Sequence, residues 1–320
     1  AGQTYSCQSG KNNYIWTIPP QATLTAGGTA TDDFATLTWN TVGTFNVGVD
    51  FSEPATSCTA AVPSQYQVEV LPLPVPLISG PNSVCMGIPG KTYTCQAGKQ
   101  GYIWVVPPEA TKTAGGTSTD DFVTVTWNTV GTFDITVNYT DLTSCTAASP
   151  THFTVTVNPL PVPAISGPNS VCPGIAGQTY TCQAGKLGYA WTIPPQATAT
   201  AGGAATDNFV TLTWNTVGTF NVGVNYSEPV TTCTAVAPVL YPVTVNALPV
   251  PAITGPGANC LNLPATYETE DLQLNYVWNV VSGGNITSGQ STRQIGVLWN
   301  TIGTHNVTVN YVDQHGCTAV

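Results

Sequence analysis

Ten cysteines are the residues best placed to do chemistry, and they fall into three registers. An early register holds Cys85, Cys172 and Cys260. A second holds Cys7, Cys95 and Cys182, and a late one holds Cys58, Cys145, Cys233 and Cys317. Thiols can ligate zinc, act as nucleophiles or form disulfides. Zinc sites place Cys or His in close pairs along the chain, and no such pair occurs here. A nucleophilic cysteine needs a basic partner, usually His. The three histidines, His152, His305 and His315, occupy no repeated position. His305 stands in the register of Phe133 and Phe220, which makes it a core substitution. Disulfide formation is the remaining chemistry, and it implies an oxidising compartment.

Other residues invite weaker readings. Asp32/Asp33, Asp120/Asp121 and the related Asp207/Asn208 sit in a turn before a strand. Calcium wants six or more oxygens, two carboxylates per site are too few, and Thr292 and Arg293 stand there in the last repeat. A solvated turn is the expectation. Eight tryptophans could make a sugar-stacking platform, but alternation turns them inward with Val and Tyr. Trp104 and Trp191 are therefore expected at the centre of the core. Asn138, Asn225, Asn285 and Asn306 satisfy Asn-x-Ser/Thr, and Asn138 and Asn225 are expected to point outward as candidate glycan carriers. No catalytic, metal or cofactor-binding residue is assigned, and no cofactor is implied.

These registers exist because the chain repeats itself. Trp16, Trp104, Trp191 and Trp278 are spaced by 88, 87 and 87 residues. Trp39, Trp127, Trp214 and Trp299 follow at 88, 87 and 85. TYTCQAGK at 92–99 recurs at 179–186, and WNTVGTF at 127–133 recurs at 214–220. Four repeats are expected, over 1–70, 74–157, 161–245 and 249–320. The opening AGQTYSC matches 176–182, and the closing HGCTAV matches TTCTAV at 231–236, both inside a repeat. The first repeat is thus expected to lack its first strand and the last its final strand, as in a window on a longer periodic polypeptide.

Each repeat reads as about seven short strands. PVPLIS at 74–79 is expected to start the first and KTYTC at 91–95 the second. In FVTVTW (122–127) Val123, Val125 and Trp127 share a face, and in GTFDITVNY (131–139) Phe133, Ile135, Val137 and Tyr139 do. Gly, Pro and Asn separate these runs, as antiparallel sandwiches require. The joins LPLPVP (71–76), NPLPVP (158–163) and NALPVP (246–251) alternate proline, which favours short, stiff, extended linkers. An end-to-end array is expected.

Composition agrees. Charged residues are 7% of 320, with 16 acidic against 6 basic and a net charge of −10. So few dispersed cations argue against nucleic acid and anionic lipid as partners, and no apolar run is long enough to span a bilayer. Gly, Pro, Thr and Val in quantity point to strands and turns.

The pattern ISGPNSVC (165–172), Tyr180, YAW (189–191), TLTWNTVGTFNVGVNY (211–226), Cys233 and PVTVN (242–246) resembles the PKD-like, immunoglobulin-type repeats. Those occur in large extracellular surface proteins of Bacteroidota, such as adhesins and fibres, many exported by the type IX system. The resemblance implies an all-β fold: a tandem array of Ig-like (PKD-type) β-sandwich domains joined by short Pro-rich linkers. It implies an extracellular or cell-surface setting and no enzymatic activity. The expected role is structural, as a segment of a long fibre or adhesin stalk, with copies of the chain as partners, head to tail or lateral. The alternatives are a carbohydrate- or surface-binding module, with surface glycans as partner, or the spacer of a secreted enzyme.

Two pairing schemes stay open. Repeat four has Thr269 in the second register yet keeps Cys260 and Cys317. That favours Cys85–Cys145, Cys172–Cys233 and Cys260–Cys317, each closing a loop worth about 4 kcal/mol in the chain-entropy model. An immunoglobulin-type sandwich instead brings the second strand and the late loop to one pole. That favours Cys7–Cys58, Cys95–Cys145 and Cys182–Cys233. The leftover thiols, notably Cys95 and Cys182, are candidates for cross-links between chains.

Overall fold

Short runs in which Thr alternates with Val, Tyr and Trp become strands, because β-branched and aromatic side chains fit a pleated, half-buried surface. The computed structural model describes residues 2–319, and every regular element among them is a strand. The chain forms two compact units, one of residues 1–82 and 87–157, the other of 83–86 and 158–320.

In the first unit, the leading repeat carries two three-stranded sheets. Gln3–Ser6, Phe34–Trp39 and Ala22–Gly27 form one, with Phe34–Trp39 central; Asn12–Thr17, Gly43–Ser52 and Ser64–Val70 form the other, with Gly43–Ser52 central. Ala35, Leu37 and Val47 are buried between them. The following repeat pairs Phe122–Trp127 with Lys91–Thr94 and Ala110–Gly115, and Gly131–Thr140 with Gln100–Val105 and Thr151–Asn158.

The second unit gives the fullest repeat. Leu187–Thr192, Gly218–Ser227 and Val239–Val245 are antiparallel neighbours, and Ser170–Val171 adds in parallel to Val239–Val245. Gln178–Thr181, Phe209–Trp214 and Ala197–Gly202 form the facing sheet. Tyr180, Val210, Leu212, Trp214, Val222, Val243 and Val245 fill the space between the sheets. The last repeat keeps the three-stranded sheet of Pro264–Glu268, Gln294–Trp299 and Gly284–Ser288, and pairs Leu274–Val280 with Val307–Val312. Ala197–Gly202 bulges between Ala199 and Ala201 and ends in Gly202 at φ 65°, where a Cβ would collide with the Phe209 ring.

One aromatic motif centres each repeat. Trp214 stacks on Phe220 at 6.0 Å, meets Tyr180 edge-on at 6.3 Å and donates its indole N–H to the Tyr180 hydroxyl at 3.0 Å. Trp127 does the same with Phe133 and Tyr93, and Trp39 with Phe45 and Tyr5. His305 takes the Phe place in the last repeat, stacking on Trp299 at 5.3 Å, as its register implies.

Two expectations need correction. Trp104 and Trp191 are half-buried, whereas Trp127 and Trp214 are fully buried; in the last repeat Trp278, in the register of Trp104 and Trp191, is buried as well. Alternation tells which face a side chain takes, not how deep that face lies. Trp104 and Trp191 sit on edge strands and donate to the Asp120 and Asp207 carbonyls at 2.9 Å, whereas Trp127 and Trp214 sit on central strands. The PVPLIS segment is also no strand. Its Ser79 makes only an isolated bridge to Thr94, and regular structure begins at Ser83–Cys85. Proline there fixes φ and removes the donors a ladder needs.

Candidate functional site

The late cysteines lie in one recurrent turn. In repeat three, Ser227 bridges Thr234, the Glu228 N–H donates to the Cys233 carbonyl at 2.9 Å, and Thr232 at φ 57° reverses the chain just before the cysteine. Asp313 and Cys317 repeat the bond at 2.9 Å with Gly316 at φ 82°; Asp141 and Cys145 repeat it with Ser144 at φ 65°; Glu53 and Cys58 repeat it with Ser57 at φ 56°. Where the first turn residue is Asp, its carboxylate holds the cysteine N–H directly, at 3.0 Å for Asp141 and 2.8 Å for Asp313. Where it is Glu, the carboxylate turns away to a lysine, Lys11 for Glu53 and Lys186 for Glu228. The hydrogen bond that the Lys186 ammonium donates to Glu228 raises the Lys186 pKa, and the ammonium also lies over the Tyr226 ring at 5.5 Å.

The early cysteines are seated differently. Two residues beyond each, a backbone N–H donates to the carbonyl of the second-register tryptophan: Gly87 to Trp127 at 2.7 Å, Gly174 to Trp214 at 2.8 Å, Asn262 to Trp299 at 2.7 Å. On the other side, the Asn158 and Asn246 amides donate to Ser83 and Ser170 and to the Val84 and Val171 carbonyls.

The early and late seats are joined across repeats. Cys85 bonds Cys233 and Cys172 bonds Cys317, both with Cα atoms 5.6 Å apart. Neither expected scheme holds. Cys85–Cys145, Cys172–Cys233 and Cys260–Cys317 all stay inside one repeat, as do Cys7–Cys58, Cys95–Cys145 and Cys182–Cys233. The observed bonds link the early cysteine of one repeat to the late cysteine of the next. Cys7, Cys58, Cys95, Cys145, Cys182 and Cys260 are free thiols. Cys317 bonds Cys172 of the preceding repeat and Cys260 is free, so the survival of both in repeat four does not mark them as a pair. The sequence separations of 148 and 145 residues correspond to about 5 kcal/mol for either bond alone in the chain-entropy model.

The second-register thiols are ill suited to cross-linking. Burial first, then the Asp121 charge, pushes Cys95 up to about 11. Burial raises Cys182 as well, and burial with the Asp33 charge raises Cys7. A thiol held protonated is a poor nucleophile for exchange. Cys182 packs beside Tyr189 and Tyr226.

A family model for the PKD-like domain matches residues 71–155, 158–238 and 246–320. The chain belongs to the PKD-like domain family. Among solved structures it is similar to invasin, a bacterial integrin-binding protein, at 12% identity and a TM-score of 0.29 over 97% of this chain and 72% of that one. It is similar to protocadherin gammaB7 at 11% identity and a TM-score of 0.25 over 99% and 94%, and to FdeC, an Escherichia coli adhesin, at 12% and 0.27 over 76% and 87%. Overlaps this loose carry no argument about function. No curated protein matches the chain.

The remaining candidates have structural work in these PKD-like repeats. Asp120 accepts from the Thr117 N–H at 2.9 Å and the Thr117 hydroxyl at 2.5 Å, and Asp32 does the same with Thr29. These bonds lower both carboxyl pKa values and tie the turn on itself. No group of three or more His, Cys, Asp or Glu that could hold a metal ion occurs among the described residues. Asn138 and Asn225, the candidate glycan carriers, are held by hydrogen bonds. The Asn138 amide donates to the Ala147 carbonyl at 3.3 Å and that of Asn225 to Ala235 at 3.0 Å, while their carbonyls accept from the next N–H at 2.8 Å. Asn310 makes the same pair of bonds with Ala319 and Tyr311. The alternation that turned these side chains outward is right about the face, but the late turn folds back over them.

A groove of about 830 Å³ in the leading repeat is lined by Tyr5, Trp16, Phe51 and Tyr66, among others. Its Tyr66 is exposed. In repeat three the counterpart of Tyr66, Tyr241, donates to the Gly167 carbonyl at 2.6 Å, and Ile165 packs on the core beside it.

Proposed function

We propose that this chain is a structural segment of a long extracellular fibre or adhesin stalk, displayed on the cell surface, with work that is mechanical rather than catalytic. The observation that carries the reading is the pair of disulfides between neighbouring repeats. A disulfide inside a domain protects that domain alone. One that leaves its repeat gives the proline linker a covalent bypass, so tension need not pass through the linker backbone. Such bonds persist in oxidising, extracellular settings. Tandem PKD-like repeats and the stiff linkers suit the same task. On this reading the fibre is one of the large surface proteins of Bacteroidota, exported by the type IX system, whose repeats these resemble.

Immunogold electron microscopy of native cells, with antibodies to this segment, tests the reading. Label along extended surface fibres is the expected result. Label confined to the cell interior, or recovered only as discrete soluble particles, would overturn it.

A further inference from the structure

We infer that Cys260 of one copy forms a disulfide with Cys58 of a second copy, so that copies join head to tail by the same bond that joins repeats within the chain. The inference deepens the fibre reading and rests on it for its biological setting.

Both internal bonds obey one rule: the early cysteine of a repeat pairs with the late cysteine of the next. Applied to the last repeat, the rule requires Cys260 to find a late cysteine in a repeat that follows. Applied to the leading repeat, it requires Cys58 to find an early cysteine in a repeat that precedes. The two are complementary halves of one bond. They are also the two free cysteines that are exposed; the other four are half-buried. In the completed bonds the late sulfurs are enclosed, with Cys233 and Cys317 both 0% exposed.

Their seats are already built. Asn262 donates to the Trp299 carbonyl at 2.7 Å, as Gly87 does to Trp127 and Gly174 to Trp214, so the backbone two residues past Cys260 is anchored as it is past Cys85 and Cys172. Around Cys58, the Ser52–Thr59 bridge, the bond from the Glu53 N–H and the left-handed Ser57 reproduce the turn that presents Cys233. Cys145 shares the late seat, but its thiol is half-buried. The chemistry is thiol–disulfide exchange. The oxidant is a small-molecule or protein disulfide: the Cys58 and Cys260 thiols lose two protons and two electrons, one S–S bond forms between them, and the oxidant's S–S bond is cleaved to two thiols.

The purified chain is incubated with oxidised and reduced glutathione and run without reductant. A ladder of multimers collapsing with reductant is expected, with a Cys58–Cys260 cross-linked peptide by mass spectrometry. In a mixture of light and nitrogen-15-labelled chains that peptide must contain one half of each isotope. Cys58→Ser and Cys260→Ser should each stay monomeric alone, while their equimolar mixture should give a dimer and nothing larger. A monomer throughout, a same-chain Cys58–Cys260 peptide, or a ladder carried by Cys145 or a second-register cysteine would overturn the inference. Native fibres that survive Cys58→Ser with unchanged length would also overturn it while leaving the fibre reading intact.

Discussion

Pulling a single chain from its two ends should reveal the two disulfides as length that is never released. The order Cys85, Cys172, Cys233, Cys317 makes the closed loops interlock. With both bonds intact, the taut path runs to Cys85, crosses to Cys233, returns along the backbone to Cys172, and crosses to Cys317. That path holds roughly 150 residues of backbone, or about 500 Å at full extension, against about 1,100 Å for all 320 residues. Reductant should therefore release about 580 Å. The interlock adds a sharper signature. Cys233→Ser or Cys317→Ser alone should lengthen the oxidised chain by only about 80 Å, because the surviving bond still bypasses most of the middle. Both substitutions together should release the whole difference. Optical-trap or atomic-force stretching with and without reductant measures this directly. An oxidised wild-type chain that reaches about 1,100 Å, or single substitutions that each release half of the total, would refute the interleaved connectivity and with it the mechanical reading.

Three further outcomes follow from the same geometry. Trp127→Ala and Trp214→Ala should each cost about 3–5 kcal/mol in denaturant unfolding of the reduced chain, and Trp104→Ala clearly less, since its ring is half-buried on an edge strand; equal losses would contradict the depth assigned to the two registers. Cutting a specific protease site placed in NPLPVP (158–163), inside the loop closed by Cys85–Cys233, should leave one band without reductant and two with it; separation without reductant would exclude that bond. Asp32, Asp120 and Asp141 have carboxyl pKa values lowered below 3.8, led by hydrogen bonds from Thr29, Thr117 and Thr143. Their stabilisation is therefore complete above the ordinary carboxyl range and lost as pH falls through the lowered values. Acid titration of the melting temperature should fall below about pH 4, and the Asp32→Asn, Asp120→Asn, Asp141→Asn triple variant should show a shallower fall.

The chain-entropy contribution sets a scale for what the bonds add beyond tension. Each alone is worth about 5 kcal/mol, a large fraction of the 5–15 kcal/mol typical of a domain. The loops overlap between Cys172 and Cys233, so the second bond closes a chain already shortened by the first, and the sum is less than double. Reduction should lower stability most in the fragment both loops share.

The sequence by itself determined what depends on period and on face. The recurrence of Trp, Tyr and Cys near 87 residues marks repeated sandwiches, because a sheet with one buried face must alternate apolar and polar residues. Val123, Val125 and Trp127 turn to the core for that reason, and His305 could be placed against Trp299 from its register alone. Tertiary structure decided depth and partner. In the two middle repeats the tryptophan on the central strand is enclosed and the one on the edge strand half-covered, as Trp214 and Trp191 show, although both face inward. Whether an asparagine is free depends on a turn folding back from nine or ten residues away, as over Asn138 and Asn225. Disulfide connectivity lay furthest from reach. Three cysteines per repeat carry no mark of which repeat holds the partner, and loop-closure entropy rises only with the logarithm of loop length. A bond across 148 residues is thus hardly less accessible than one across 60, and only the placement of the early and late seats in three dimensions selects Cys233 for Cys85 and Cys317 for Cys172.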